Sequence, residues 1–141
     1  YEPLWSWMDA RGSFVFVHPG TCRDRRLDRF YLENLVGNPY ETGVAAAMLV
    51  MKSIPSRYPG IRFCLAHAGG MFTALVGRLQ RGFDTARPGV DLDAEAPVQA
   101  ARRFYVDGIA HHPAIIQMAK DIFGDDHVLF GSDWPFPMGM T

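Results

Sequence analysis

Phe63-Cys64-Leu65-Ala66-His67-Ala68-Gly69-Gly70 is a short apolar run that passes straight into a histidine and then two glycines. Tyr58-Pro59-Gly60 makes a turn before it, so Ile61 to Ala66 reads as a strand with its polar residue at the C-terminal end. Two further runs end the same way. Phe14-Val15-Phe16-Val17 leads into His18-Pro19, and Val128-Leu129-Phe130 leads through Gly131 and Ser132 into Asp133-Trp134-Pro135. Parallel αβ barrels assemble their active sites from residues at the C-terminal ends of several strands. Three such endings separated by helical segments point to part of an active site.

Phe14 to Val17 is apolar throughout, as expected for a strand buried on both faces of a parallel sheet. An Arg-rich loop follows, then a short helix over Leu27 to Val36. Asn38 is placed to cap the next helix, with Pro39 at its first position and Glu41 completing a capping box. That helix runs to about Arg57, bent or shortened by Pro55. Gly69 and Gly70 allow a tight turn and close backbone approach to a ligand, and a helix from about Phe72 to Phe83 follows. The polar stretch from Asp84 to about Pro97 is long for a connection and reads as a lid or a subunit contact. Arg103 to Val106 is a third strand ending at Asp107-Gly108. His112-Pro113 starts a helix that Gly124 ends, and His127 to Phe130 is the last strand. Strands alternating with helices give an α/β fold with a parallel sheet. Periodicity leaves a barrel and an open doubly wound sheet equally open.

The chain has 141 residues, and a complete barrel needs about 250. It therefore reads as an internal piece, the later half of one larger domain, spanning 1–141 without that domain's N-terminal half and extreme C-terminus. A formal net charge of −1 gives no electrostatic reason to expect nucleic acid or an anionic membrane as partner. The cluster Arg23, Arg25, Arg26 and Arg29 is interrupted by Asp24 and Asp28 and reads as a solvated face. No apolar run reaches the ~18 residues of a membrane span. Cys64 reads as a buried structural thiol and Cys22 as a neutral loop residue, so nothing demands an oxidising compartment, and a cytoplasmic location is the default.

Each candidate has a plain alternative. His18 can bind metal through a ring nitrogen or be a hydrogen-bonded surface histidine. His67 can move a proton or merely pack beside its turn. Asp133 can bind metal, take up a proton or cap the next turn. Two histidines and a carboxylate at equivalent strand ends would converge above the sheet and supply metal ligands with a general base. His111 and His112 read as a helix-start pair, with His112 as the cap, and His127 as structural.

Six ordered motifs between Phe14 and Met138 resemble the amidohydrolase-2 family of the amidohydrolase superfamily, and in particular its decarboxylases. They are Phe-Val-His18-Pro, Leu-Val-Gly-Asn38-Pro-Tyr-Glu41-Thr, Arg57-Tyr-Pro, Leu-Ala-His67-Ala-Gly-Gly, Val-Gly-Arg78 and Leu-Phe-Gly-Ser-Asp133-Trp-Pro-Phe-Pro. The resemblance implies the C-terminal half of a (β/α)8 barrel with one metal, usually zinc, another divalent ion such as manganese being an alternative. It implies His18 as a metal ligand, Asp133 as the carboxylate ligand and as proton donor in some relatives, and His67 as the residue that activates the metal-bound water. The family's His-x-His ligand pair has no match in this sequence, where His111 and His112 are adjacent, so the resemblance places it upstream of Tyr1. In resembling decarboxylases an arginine after the corresponding helix reaches a neighbouring subunit's substrate carboxylate. Arg87 matches it, in a stretch one residue longer. Trp134, with Phe136, either lines a pocket for a planar substrate or packs at the barrel rim. A decarboxylase of an aromatic or dienoic carboxylate follows, working as a homodimer or higher homo-oligomer. A hydrolase or hydratase on the same barrel, a non-catalytic small-molecule binder and a catalytically incomplete piece are the alternatives.

Overall fold

A computed structural model describes residues 1–139; residues 140 and 141 of the domain expected over 1–141 lie outside the described residues. Four strands, β1 (Phe14–Val17), β2 (Arg62–Leu65), β3 (Tyr105–Asp107) and β4 (Val128–Leu129), form one parallel sheet in chain order. Val17 pairs with Leu65, Leu65 with Val106, and Asp107 with Leu129, so the strand ends stand side by side.

Helical cover lies on one face of this sheet. Phe63 and Leu65 of β2, Val106 of β3 and Phe104 just before it are fully buried in one core. With them pack Ala46 and Val50 of α2 (Asn38–Met51), Phe72 of α4 (Met71–Asp84), Ala100 and Ala101 of α5 (Pro97–Ala101) and Phe123 of α6 (Pro113–Phe123). Phe104 meets Phe63 and Phe72 edge to face at 6.2 and 6.1 Å between ring centres. Such pairs add about 0.5–1.5 kcal/mol beyond the area they bury. The opposite face is lined by Phe14, Phe16, Cys64, Asp107 and Leu129. A doubly wound sheet reverses its strand order and carries helices on both faces. Chain order with one-sided cover is instead the arrangement of four successive units of a (β/α)8 barrel. It also corrects the expectation for β1. Phe14 and Phe16 are 52% and 51% exposed, because their side chains lie on the uncovered inner face.

Several element boundaries differ from expectation for local reasons. Leu27 to Val36 is not one helix. A single turn over Arg25–Leu27 is followed by Phe30 and Tyr31 at φ +61° and +59°, then a wide helical turn over Glu33–Gly37. That turn runs directly into α2, so Asn38 makes no side-chain cap. Its backbone N–H already donates to the Glu33 carbonyl, leaving no orphan donor for the expected capping box. α2 stops at Met51, Ser53 adopts φ +55°, and Pro55 sits in the first turn of the separate α3 (Ile54–Arg57). His112 caps α6 as expected, its Nδ1 accepting from the Ala114 N–H at 3.2 Å.

Two helices had no forecast from sequence. α1 (Glu2–Asp9) is tied down by a 2.9 Å ion pair from Arg57 to Glu2 and by Asp9, which accepts the Gly60 N–H at 2.7 Å. α5 begins where the long polar stretch ends, and its entry is fixed by Gln80, whose side chain accepts the Val98 N–H at 3.1 Å. No helix among the described residues is long and apolar enough to cross a membrane.

Candidate active site

The turn after β2 is built to aim one side chain. His67 and Ala68 both adopt left-handed backbone, at φ +57° and +50°, which costs about 1–3 kcal/mol for each non-glycine residue. Asp107, at the end of the neighbouring β3, holds this turn. Its buried carboxylate accepts the Ala68 N–H at 2.9 Å and the Ile109 N–H at 3.1 Å. Packing requires glycine at 69 and 70, and Gly70 also lines the cavity beside His67. A Cβ at Gly69 would lie 2.6 Å from Thr73 Oγ1, and one at Gly70 would lie 2.2 Å from the Pro39 carbonyl oxygen.

His67 lines a cavity of about 480 Å³ together with His18, Asp133, His111 and Asn38. Leu35, Met71, Ile109, Ile115 and Phe136 give this cavity apolar walls. Three of its polar members, His67, His111 and Asp133, sit at positive φ, as residues held for function often do. Directly against it, a recess of about 340 Å³ on the inner sheet face shares His18, His67 and Asp133. The three strand-end residues singled out from sequence are thus brought to one place.

The two imidazole rings stand 5.1 Å apart, centre to centre. His18 Nδ1 lies 2.8 Å from the Pro19 carbonyl oxygen. A carbonyl only accepts, so Nδ1 carries a proton, and in the neutral ring Nε2 holds the lone pair. His67 Nδ1 lies 3.0 Å from the Thr42 hydroxyl. Burial pushes the His67 pKa below the ordinary histidine value. Asp107 and Asp133 pull against that shift, while His18 and His111 add to it. The ring is thereby disposed to stay neutral, as a proton acceptor must.

Arg87 and Trp134 lie elsewhere. Arg87 is exposed in the loop after α4, where its guanidinium donates to the Thr85 carbonyl oxygen at 3.1 Å, and it does not line the cavity. Trp134 is 83% exposed and outside the lining, whereas Phe136 is part of it. The stretch from Asp84 to Pro97, expected as a lid or a subunit contact, contributes no residue to the cavity of its own chain. Arg103 holds this stretch through a 2.6 Å ion pair to Glu95. Cys64 lines the inner recess, its thiol pushed up to about 12 chiefly by burial, and Cys22 is buried against Gly37.

Sequence reasoning missed three residues. His111, expected only as part of a helix-start pair, lines the cavity at φ +54°. Asp107 ends its strand in the same manner as the other three, a signal that was available. Thr42 carries no such signal, because its contact spans 25 positions and depends on how α2 meets the turn.

The donor set bears on the metal that the family resemblance implies. A histidine that donates Nδ1–H to a carbonyl and presents Nε2 is oriented as metal-binding histidines usually are, and His18 meets that description. Asp133 supplies a hard carboxylate in the same cavity. Among the described residues no group of three or more His, Cys, Asp or Glu side chains is placed to hold an ion. His18 and Asp133 therefore fit part of a coordination shell.

Comparison with known proteins agrees with the fold. 2-Amino-3-carboxymuconate-6-semialdehyde decarboxylase of Dictyostelium discoideum is 32% identical, the alignment covering 97% of this chain and 39% of that protein. 6-Methylsalicylic acid decarboxylase of Penicillium expansum is 35% identical, over 96% of this chain and 42% of that protein. The chain thus spans about two fifths of the length of these curated relatives. The crystal structure of a dihydroxybenzoic acid decarboxylase from Polaromonas sp. JS666, with bound manganese and 2-nitroresorcinol, superposes with a TM-score of 0.76. It is 20% identical, with 99% of this chain and 44% of that one covered. At that identity the likeness speaks for the barrel fold alone. The family model described as Amidohydrolase matches residues 1–139, so nearly every residue that builds the sheet, its helices and the cavity falls within it, and the chain belongs to the amidohydrolase family.

Proposed function

We propose that this protein is a metal-dependent decarboxylase acting on an aromatic or dienoic carboxylate. The observation that carries the reading is the convergence of His18, His67 and Asp133 on one cavity whose walls are otherwise largely apolar. Such walls suit a planar ring or diene, and the polar end suits its carboxylate and neighbouring oxygens. The relatives named above act on substrates of this kind, as their names state.

Loss of carbon dioxide from such a substrate breaks a carbon–carbon bond and leaves its electron pair on carbon, where a proton must be delivered. His18 and Asp133 would hold a divalent ion, zinc or manganese, with further ligands beyond these two; bound there, the ion supplies positive charge for substrate oxygens. His67 Nε2 accepts or returns a proton at the cavity wall, a task suited to a ring kept neutral by burial. Asp133, in the same cavity, would be a second group able to pass a proton to the substrate carbon once it has taken one up from the substrate. Arg87, exposed and outside its own chain's cavity, suits a role toward a neighbouring subunit, where its guanidinium would pair with a substrate carboxylate. Trp134 at the rim would then meet substrate only as it enters.

The test is carbon dioxide release by the protein produced from its complete coding region. Substrates are 6-methylsalicylate, 2,6-dihydroxybenzoate and 2-amino-3-carboxymuconate 6-semialdehyde. Release that stops on chelation and returns with zinc or manganese is the expected result. Ring opening or hydration without carbon dioxide, or release indifferent to chelation, contradicts the reading.

A further inference from the structure

Thr42 is almost fully buried in α2, with 1% of its surface exposed, and its hydroxyl sits between two groups. One is the Asn38 carbonyl oxygen of the same helix at 3.1 Å; the other is His67 Nδ1 at 3.0 Å. A hydroxyl has one proton to give and lone pairs with which to accept. The Asn38 carbonyl can only accept. If the hydroxyl proton went to His67 Nδ1 instead, two oxygen lone pairs would face each other at 3.1 Å in a buried place. With the Thr42 hydroxyl donating to the Asn38 carbonyl oxygen and Nδ1–H donating to Thr42 Oγ1, every group is paired.

We infer that Thr42 is a positioning residue that fixes the tautomer of His67, holding the proton on Nδ1 and leaving the Nε2 lone pair for the cavity. The relay is Asn38 carbonyl, Thr42 hydroxyl, His67 ring, and it ties the first turn of α2 to the turn after β2. Packing fixes its register. A Cβ at Gly70 would come within 3.1 Å of Thr42 Cβ, so only glycine lets the turn lie this close to the helix. Thr42 touches no cavity surface and acts only through the ring. What Nε2 does in turnover rests on the decarboxylase reading; the tautomer does not.

The test is nitrogen-15 NMR of the histidine side chains in the full-length protein, with His67 assigned by its loss in His67→Gln. Long-range nitrogen–proton correlations separate the two neutral tautomers directly. The wild type should show His67 protonated on Nδ1. In Thr42→Val, which keeps the shape and removes the hydroxyl, the tautomer ratio should shift toward Nε2–H by roughly fivefold, the scale of one net hydrogen bond. Thr42→Ser should restore the wild-type ratio. In the active enzyme kcat should fall in Thr42→Val and recover in Thr42→Ser with KM nearly constant. A wild-type His67 protonated on Nε2 overturns the inference even if Thr42→Val does not fold, and so does an unchanged ratio in a folded Thr42→Val. If the tautomer follows Thr42 while no carboxylate is decarboxylated, the inference stands and the functional reading fails.

Discussion

The Asp107 carboxylate accepts the Ala68 N–H at 2.9 Å, linking the end of β3 to the strained turn between β2 and α4. The same oxygen also takes the Ile109 N–H at 3.1 Å, so a single buried side chain orders the backbone on both sides of the cavity floor. Asp107→Ala leaves two buried donors without partners, each costing about 1–3 kcal/mol. Asp107→Asn keeps one acceptor oxygen and should lose less. Urea unfolding of the two variants ranks them, and turnover should fall in the same order because the turn that carries His67 loosens.

Gly70 is the second fixed point of that turn. An alanine there would place Cβ 2.2 Å from the Pro39 carbonyl oxygen, at φ +57° and ψ −142°. Gly70→Ala should destabilise by more than about 3 kcal/mol or prevent folding, because strain and clash act together. Gly77 is the control. It is exposed in α4 with nothing within 4 Å of where a Cβ would stand, so Gly77→Ala should stabilise by about 0.5–1 kcal/mol through helix propensity. Thermal melts of both variants check the pair.

Cys64 gives a signed pH dependence. Burial raises its thiol to about 12 from the ordinary value of 9.0, so the folded state holds its proton where the unfolded state loses it. Stability linked to Cys64 is complete below about pH 9 and falls as pH rises from there towards 12. Cys64→Ala should flatten that alkaline decline in urea midpoints measured from about pH 8 to about pH 11. In the folded wild type the thiol should resist alkylation at about pH 8.

The strand-end residues His18, His67 and Asp133 are legible in the sequence because a short apolar run announces a strand and the polar residue after it stands at the strand's end. Asp107 carries the same signature, but with Gly108 after it the pair reads only as the end of a strand. Thr42 is illegible, since a threonine inside an Ala-rich helix looks like any other until the helix is set against the turn. The element boundaries shift for comparable reasons. A wide turn satisfies the Asn38 N–H that a cap would have served, and an Arg–Glu pair ties down the stretch that reads as a lid or a subunit contact. Exposure of Phe14 and Phe16 follows from the uncovered inner face of the sheet, which no local pattern encodes.

The most direct test of the central claim is carbon dioxide release by metal-loaded full-length His67→Ala, with bound metal quantified in the same sample. The account predicts a loss of turnover of about 10²-fold or more, the scale of a general acid–base group, with metal content unchanged. Retained turnover, or metal lost along with activity, would contradict the division of work between His67 and the pair His18 and Asp133.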